Sequence, residues 1–575
     1  MPAKSPTDTS QQTAAERIAQ ALKRHRVDVI FGQSLPSALL LAAEDAGIRQ
    51  VVYRTENAGG AMADAYARLS HKIGVVAAQN GPAATLLVPP LAEALKASIP
   101  LVALVQEVAR PTKDRNAFQE LDHTALFQGC TKWVRTVDDP GRVEDYVDLA
   151  FTKAATGRPG PVALLLPADM LNEHGPAAAH PRSTSLGVWP MDRVVAAPAA
   201  IDQAADLLAG ANHPLVIAGG GVHGAGACDL VAALQDEAAL PVAYTMMGKG
   251  AVDDRHPLTV GLVGNVMGEM SIGKLSRPLL DSADRILLVG TRTNQNGTDS
   301  WSLFPSRADI IHLDIDGHEV GRTYEPAVRL VGDAKLTLEA LLERLRQHDL
   351  GRRQANRTSL EAAIAETRSA WTEATLALRT SNAQPIRPER VMAEVQSVLT
   401  ADTAVVADAS YSSVWINAYL GSFAPGQRFV TPRGLAGLGW GYPMALGAKV
   451  ARPDAPVICV VGDGGFGHCW SELETARRTG TAVVLIVLNN SVLGYQKDAE
   501  TVKFGRYTSA CHFEPVDHAA IAKACGVAAH RITDPADLAP ALRAALAANQ
   551  SVLLDVVTDP DAYPPLTMYD ARPGP

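Results

Sequence analysis

The sequence predicts an α/β protein built of three doubly wound parallel-sheet domains. Three observations point that way. Short apolar runs at 74–78, 101–105, 162–166, 215–218, 285–289, 310–313, 457–461 and 483–488 have the length and composition of buried parallel strands. Amphipathic Ala/Leu-rich stretches lie between them, and this βαβα alternation places helices on both faces of a sheet. Two breaks then divide the pattern. Residues 174–196 mix Pro, Gly, Ser and Ala without period. A charged helical stretch from about 350 to 379 runs out at Ser381, Asn382, Pro385 and Pro388, before a new helix near Glu389. The expected domains span 1–175, 196–345 and 385–560.

Composition narrows the function classes. With 47% hydrophobic and 20% charged residues the chain has the balance of a soluble globular protein. A net charge of −9 argues against a polyanion-binding surface, so no nucleic-acid partner is expected. The cysteines Cys130, Cys228, Cys459, Cys469, Cys511 and Cys525 form no C-x-x-C pair and no zinc spacing with histidine. They read as scattered thiols in a reducing compartment. Residues 1–12 are polar and lack the apolar core of a signal peptide. No run of about 20 apolar residues occurs, so a cytoplasmic protein without a membrane partner is expected.

The segment VICVVGDGGFGHCWSELETARRTGTAVVLIVLNNSVLG carries the strongest chemical signal. A buried strand ends in Gly462-Asp463-Gly464-Gly465, and a second ends in Asn489-Asn490 after one helix. Ligands in open α/β sheets bind at the C-terminal ends of strands. A carboxylate, an amide oxygen and a backbone carbonyl make a hard oxygen site that suits magnesium, which takes its remaining ligands from water and phosphate. The glycines let backbone N–H groups approach an anion.

This pairing of GDG with NN resembles the motif of thiamine-diphosphate enzymes, and the likeness extends over about 540 residues, to acetolactate (acetohydroxyacid) synthase-like proteins above all. The resemblance implies a pyrimidine-binding first domain, a central domain and a diphosphate-binding third domain. It implies that Asp463, Asn490 and the carbonyl of Val492 hold magnesium, and that Gly462, Gly464 and Gly465 lie against the diphosphate. DASYSSVW (408–415) resembles a second diphosphate turn, which makes Tyr411 and Ser412 contacts. GLAGLGWGYPMALGAKVARPDAPV (434–457) resembles the segment that clasps the pyrimidine, with the Ala436 carbonyl accepting from the 4′-amino group and Leu438 wedged beneath the cofactor.

Enzymes of this type also need a carboxylate at N1′ of the aminopyrimidine. Glu56, in YRTENAGGAMADAYARLSHKIGV, follows a short strand and precedes a helix rich in small residues. The resemblance gives it that role. In the family, one subunit's pyrimidine domain meets another's diphosphate domain, which implies at least a homodimer and favours a homotetramer. AFQELD (117–122) resembles a substrate-channel element, so Phe118 and Gln119 are candidates, Gln119 as a catalytic one. Gln33 and Ser34 in one turn, Asn80 and Gly81 in another, and Tyr495 are further substrate candidates.

The chain also departs from the synthases. Ala499 stands where they carry an acceptor-selecting tryptophan, and Asn296 where they carry an arginine. Gly264-Asn265-Val266-Met267 replaces an element near their flavin, which weakens the case for FAD. Glycine turns at 219–221 and 290 leave a central nucleotide site, for FAD or an adenine nucleotide, as an open alternative. No adjacent-histidine pair marks a simple decarboxylase near Gln79-Asn80. The expected reaction is decarboxylation of a 2-oxo acid and carboligation to a carbonyl acceptor, by a transferase or lyase. A thiamine-dependent 2-oxo-acid decarboxylase, aldehyde lyase or dione hydrolase is the alternative, and a non-catalytic protein that kept the fold is a third reading.

Overall fold

The computed structural model describes residues 12–175, 178 and 182–570. The polar N-terminal stretch, apart from Gln12, and part of the 174–196 break lie outside the described residues. Three six-stranded, all-parallel sheets are present among them. The central strands, such as Gly74–Ala78, Pro214–Ala218 and Val484–Asn489, are buried over their whole length, because helices cover both faces, whereas edge strands such as Val328–Val331 alternate buried and exposed residues.

Contacts divide the chain into two compact units. The first contains residues up to Asp192 together with Pro432–Asp454 and Cys469–Ala482. Its sheet runs, edge to edge, Arg49–Val52, Val29–Gly32, Gly74–Ala78, Leu101–Glu107, Val162–Pro167, Trp133–Thr136. The strand order reverses between Val29–Gly32 and Gly74–Ala78, which opens a crevice at their C-terminal ends. Helix Glu56–Ser70 is buried along most of its length and packs against helix Gly441–Ala451. Small residues make this close approach feasible. A Cβ on Gly447 would lie 2.1 Å from the Met62 carbonyl oxygen, and one on Gly60 would lie 2.5 Å from Pro90. Thus two segments inside the range expected for the third domain pack with the first. The reasons are physical: the small residues of helix Gly441–Ala451 admit helix Glu56–Ser70, and Glu472 in the second segment accepts from the Arg54 and Thr55 N–H groups.

The second unit contains Arg193–Thr431, Ala455–His468 and the chain from Val483 onward. Its first sheet runs Val328–Val331, Asp309–Asp314, Arg285–Val289, Pro214–Ala218, Val242–Tyr244, Thr259–Leu262. Its second runs Phe429–Val430, Ala404–Ala407, Val457–Gly462, Val484–Asn489, Val552–Val557, Ala528–Ile532. One apolar cluster spans both sheets and their helices, including Trp415, Leu341 and Val460. The charged stretch near 350–379 is the single helix Gly351–Arg379. Strand Val484–Asn489 lies one residue later than the apolar run suggests, so Asn489 closes the strand and Asn490 stands at its tip.

Candidate active site

In the second unit, strands Val457–Gly462 and Val484–Asn489 are neighbours, with Gly462 opposite Leu488. That register brings Asp463 and Asn490 to adjacent strand ends. The strand order reverses between Ala404–Ala407 and Val457–Gly462, so residues 408–412 and 462–465 flank the switch point. Asp463 is 8% exposed and makes no ion pair among the described residues. Burial pushes its carboxyl up to about 6, although the Ser491 N–H donates to Oδ2 at 2.7 Å. Asn490 Oδ1 accepts from the Val492 N–H at 3.1 Å. The Val492 carbonyl accepts from Gly494 at 2.9 Å and keeps a second lone pair. Nothing lies within 4 Å of a Cβ built on Gly462, whereas one on Gly464 would meet Phe513 at 2.9 Å. The turn is therefore open on one side and packed on the other.

Helix Tyr411–Tyr419 begins beside this turn, and its N-cap Ser410 provides no side-chain cap. Its first backbone N–H groups are available to an anion. The Tyr411 hydroxyl is committed to Asp498 at 2.6 Å and Tyr569 at 2.8 Å. Ser412 Oγ donates to the Ala409 carbonyl at 3.0 Å. Tyr495 is 39% exposed and lies edge-on to Tyr411. No group of three or more His, Cys, Asp or Glu side chains with metal-holding geometry occurs among the described residues.

In the first unit, Glu56 opens helix Glu56–Ser70, whose N-cap Thr55 accepts from the Ala58 N–H. Glu56 is 9% exposed, yet its carboxylate has no hydrogen-bond partner among the described residues. The turns carrying Gln33-Ser34 and Asn80-Gly81 flank the switch point of this sheet. Gln33 Nε2 donates to the Arg54 carbonyl at 3.2 Å, and Ser34 is exposed. Gly81 adopts φ 63°, ψ −120°, a conformation that strains any residue with a Cβ, and a Cβ there would lie 2.7 Å from Gln119. Asn80 Nδ2 donates to the carbonyls of Phe118 (3.3 Å) and Gln119 (3.1 Å). Gln119 itself has φ 60°, and its buried Oε1 lacks a partner among the described residues. Phe118 projects with 84% exposure.

Ala436 and Leu438 belong to the same unit. Ala436 has φ 61°, and Leu438 is 36% exposed. Their loop hangs on Glu93, a residue that sequence reasoning missed. Glu93 is 1% exposed and accepts from the N–H groups of Gly434 (2.7 Å) and Leu435 (2.5 Å). Arg68 stands between Glu93 (3.5 Å) and Asp64 (2.6 Å). Glu472, also missed, accepts from the Arg54 and Thr55 N–H groups, each at 3.1 Å, and so fixes the entry to Glu56. A third missed group is the pair of Glu107 and His123 behind Gly81. The available signal was a lone acid in an apolar run, as in LAEALKA for Glu93.

Comparison with known proteins fits this geometry. Three family models match in order: the thiamine pyrophosphate enzyme N-terminal TPP binding domain over 12–126, the central domain over 201–341, and the C-terminal TPP binding domain over 408–556. A probable acetolactate synthase large subunit from Methanococcus aeolicus is 32% identical, covering 95% of this chain and 92% of that protein. A probable acetolactate synthase large subunit from Methanocaldococcus jannaschii is also 32% identical, covering 97% and 94%. Acetolactate synthase isozyme 2 large subunit from Escherichia coli is 30% identical, covering 95% of each. The chain belongs to the thiamine pyrophosphate enzyme family, alongside the acetolactate synthase large subunits, and is a thiamine-diphosphate-dependent enzyme of acetolactate synthase-like function.

Proposed function

We propose that this enzyme decarboxylates a 2-oxo acid and joins the remaining acyl unit to a carbonyl acceptor, forming a carbon–carbon bond. The observation that carries the reading is Glu56, a carboxylate buried to 9% exposure without a hydrogen-bond partner among the described residues. Such a group fits an N–H or ring nitrogen supplied by a ligand. Thiamine diphosphate, when bound, would supply the electron sink that decarboxylation of a 2-oxo acid requires. The protein binds, orients and moves one proton. Glu56 holds that proton at N1′ of the aminopyrimidine. The Ala436 carbonyl would accept from the cofactor's amino group, and Leu438, 36% exposed, would offer the cofactor an apolar contact. Asp463, Asn490 and the Val492 carbonyl hold magnesium, whose charge would favour the ionised carboxylate that burial opposes at Asp463. Gly462, Gly464, Gly465, Ser412 and the backbone of Tyr411 receive the diphosphate.

Gln119 faces the reacting carbons as a hydrogen-bonding catalytic residue, consistent with its unpartnered Oε1. Gln33, Ser34, Asn80, Gly81, Phe118 and Tyr495 form the substrate surroundings. The carbon–carbon bond formation proposed here needs no FAD. The central glycine turns pack closely, a Cβ on Gly219 lying 2.3 Å from the Gly290 carbonyl oxygen, and keep FAD or an adenine nucleotide as an open alternative there. The working assembly is a homo-oligomer, at least a dimer and by family likeness a tetramer, in the cytoplasm. Among the described residues no helix is long and apolar enough to cross a membrane. Expected domain limits remain 1–175, 196–345 and 385–560, with the two packing exchanges described above.

The test is a panel of 2-oxo acids with aldehyde and 2-oxo-acid acceptors, measuring CO2 and products together. Carboligated product from the native protein, and a loss of at least about 1,000-fold in Glu56→Ala, are expected. Free aldehyde or acid as the sole product would replace carboligation with a decarboxylase, lyase or hydrolase reading.

A further inference from the structure

The first unit contains a cavity of about 510 Å³ whose polar wall is formed by Gln79, Asn80, Gln106, Glu107, Thr112 and Arg115. It adjoins the Asn80-Gly81 turn and Phe118, so its use as a substrate pocket rests on the function proposed above. For a pocket that accepts only alkyl groups, this wall is costly: the Gln79 and Gln106 amides and a carboxylate would lose water without replacement.

Glu107 is the decisive member. It is 8% exposed. Its Oε1 lies 2.5 Å from His123 Nδ1, while Oε2 has no partner among the described residues. His123 is 1% exposed, and its Nε2 lies 2.8 Å from the Gly81 backbone nitrogen. A backbone N–H can only donate, so Nε2 carries the lone pair and the ring proton is on Nδ1. His123 therefore donates to Glu107 and accepts from Gly81. The histidine thus ties the carboxylate to the backbone of a candidate substrate turn and leaves one carboxylate oxygen as an acceptor in the cavity. The inner end of the pocket is a fixed acceptor flanked by amides. Arg115, exposed at the rim, makes no ion pair among the described residues and offers a guanidinium to a carboxylate.

We infer that the enzyme's substrate is a hydroxylated 2-oxo acid, its carboxylate received by Arg115 and its hydroxyl donating to Glu107, which acts as a specificity-determining residue. The amides of Gln79 and Gln106 can both donate and accept, Gln106 while also donating to Asn80 Oδ1 at 3.4 Å, which suits a neutral hydroxyl-bearing group more than a charged one.

Two measurements on the full-length protein loaded with thiamine diphosphate and magnesium test this. The first compares kcat/KM for 3-hydroxypyruvate and pyruvate, which differ by one hydroxyl. A preference of at least about tenfold for the hydroxylated acid is expected, and Glu107→Leu should collapse it to about one. The second needs neither turnover nor a variant. Calorimetry with glycerate and lactate, the corresponding unreactive hydroxy acids, should show glycerate binding about tenfold more tightly. Equal binding of the two, no preference for 3-hydroxypyruvate over pyruvate, or a preference for 3-hydroxypyruvate that Glu107→Leu leaves in place, would overturn the inference while carboligation stood. Tighter glycerate binding without turnover of any 2-oxo acid would overturn the carboligation reading and support the pocket.

Discussion

The two candidate clusters, one in each unit, are built by opposite means. The turn at Asp463 and Asn490 is held by short-range bonds: Ser491 to Asp463, Val492 to Asn490, Gly494 to Val492. The surroundings of Glu56 are held by buried carboxylates distant in sequence. Glu93 anchors residues 434–435, 341 and 342 positions away, and Glu472 anchors Arg54 and Thr55, 418 and 417 positions away. A local clasp can be read as a motif and tolerates changes elsewhere. A scaffold of distant carboxylates is invisible to motif reading and fails when one buried member is removed.

The largest effect should come from breaking the scaffold. Glu93→Leu removes the acceptor of three backbone N–H groups, those of Gly434, Leu435 and Ala436, and one of the two carboxylates paired with Arg68. It should destabilise the protein by about 3 kcal/mol or more in chemical denaturation. Loss of carboligation should accompany it even in the folded fraction, because the loop of Ala436 and Leu438 is no longer held.

The local clasp should behave differently. Asp463→Ala removes a buried carboxylate without an ion pair, so the protein without cofactor should melt within about 1 °C of the native protein or slightly above it. What it should lose is the response to ligand. Native protein at 100 times the dissociation constant of magnesium and thiamine diphosphate gains roughly 2.7 kcal/mol, and the variant should gain none. An undiminished rise in Tm would show that the clasp lies elsewhere.

The smallest effect is electrostatic and concerns the scaffold alone. Burial pushes the Asp64 carboxyl up to about 6 from its ordinary 3.8, against the pull of Arg68. Its folded-state pKa is raised, so the native state binds the extra proton. The associated stability is full below about pH 4 and is lost as pH rises through about 6. Relative to Asp64→Asn, the native protein should lose on the order of 2 kcal/mol between pH 4 and pH 7. Parallel stability curves for the two proteins would remove Asp64 from the account.

The same contrast explains what was legible in the sequence. The sheets could be read because apolar runs bounded by turns have few other uses. Asp463 and Asn490 could be read because a single βα unit separates them. Glu56 could be read by likeness of its helix, but not the carboxylate that positions its entry. The turn at Tyr411 could be read by likeness of DASYSSVW, but not that the Tyr411 hydroxyl bonds Asp498 and Tyr569, partners fixed only by folding. His123 and Glu107 lie 16 residues apart with no motif between them, and only the strand–helix geometry brings them behind Gly81.

The exchange of segments between the two units also bears on the order of synthesis. The first unit needs Pro432–Asp454 and Cys469–Ala482, and helix Glu56–Ser70 receives its partner only when Gly441–Ala451 exists. A ribosome making this chain therefore holds an unfinished N-terminal unit, with an apolar helix face uncovered, until about residue 482 has emerged. At roughly 5–20 residues per second, that interval lasts tens of seconds. During that time the nascent chain is a natural client for a chaperone. For the same reason, a fragment ending at the first domain boundary would lack part of its own core.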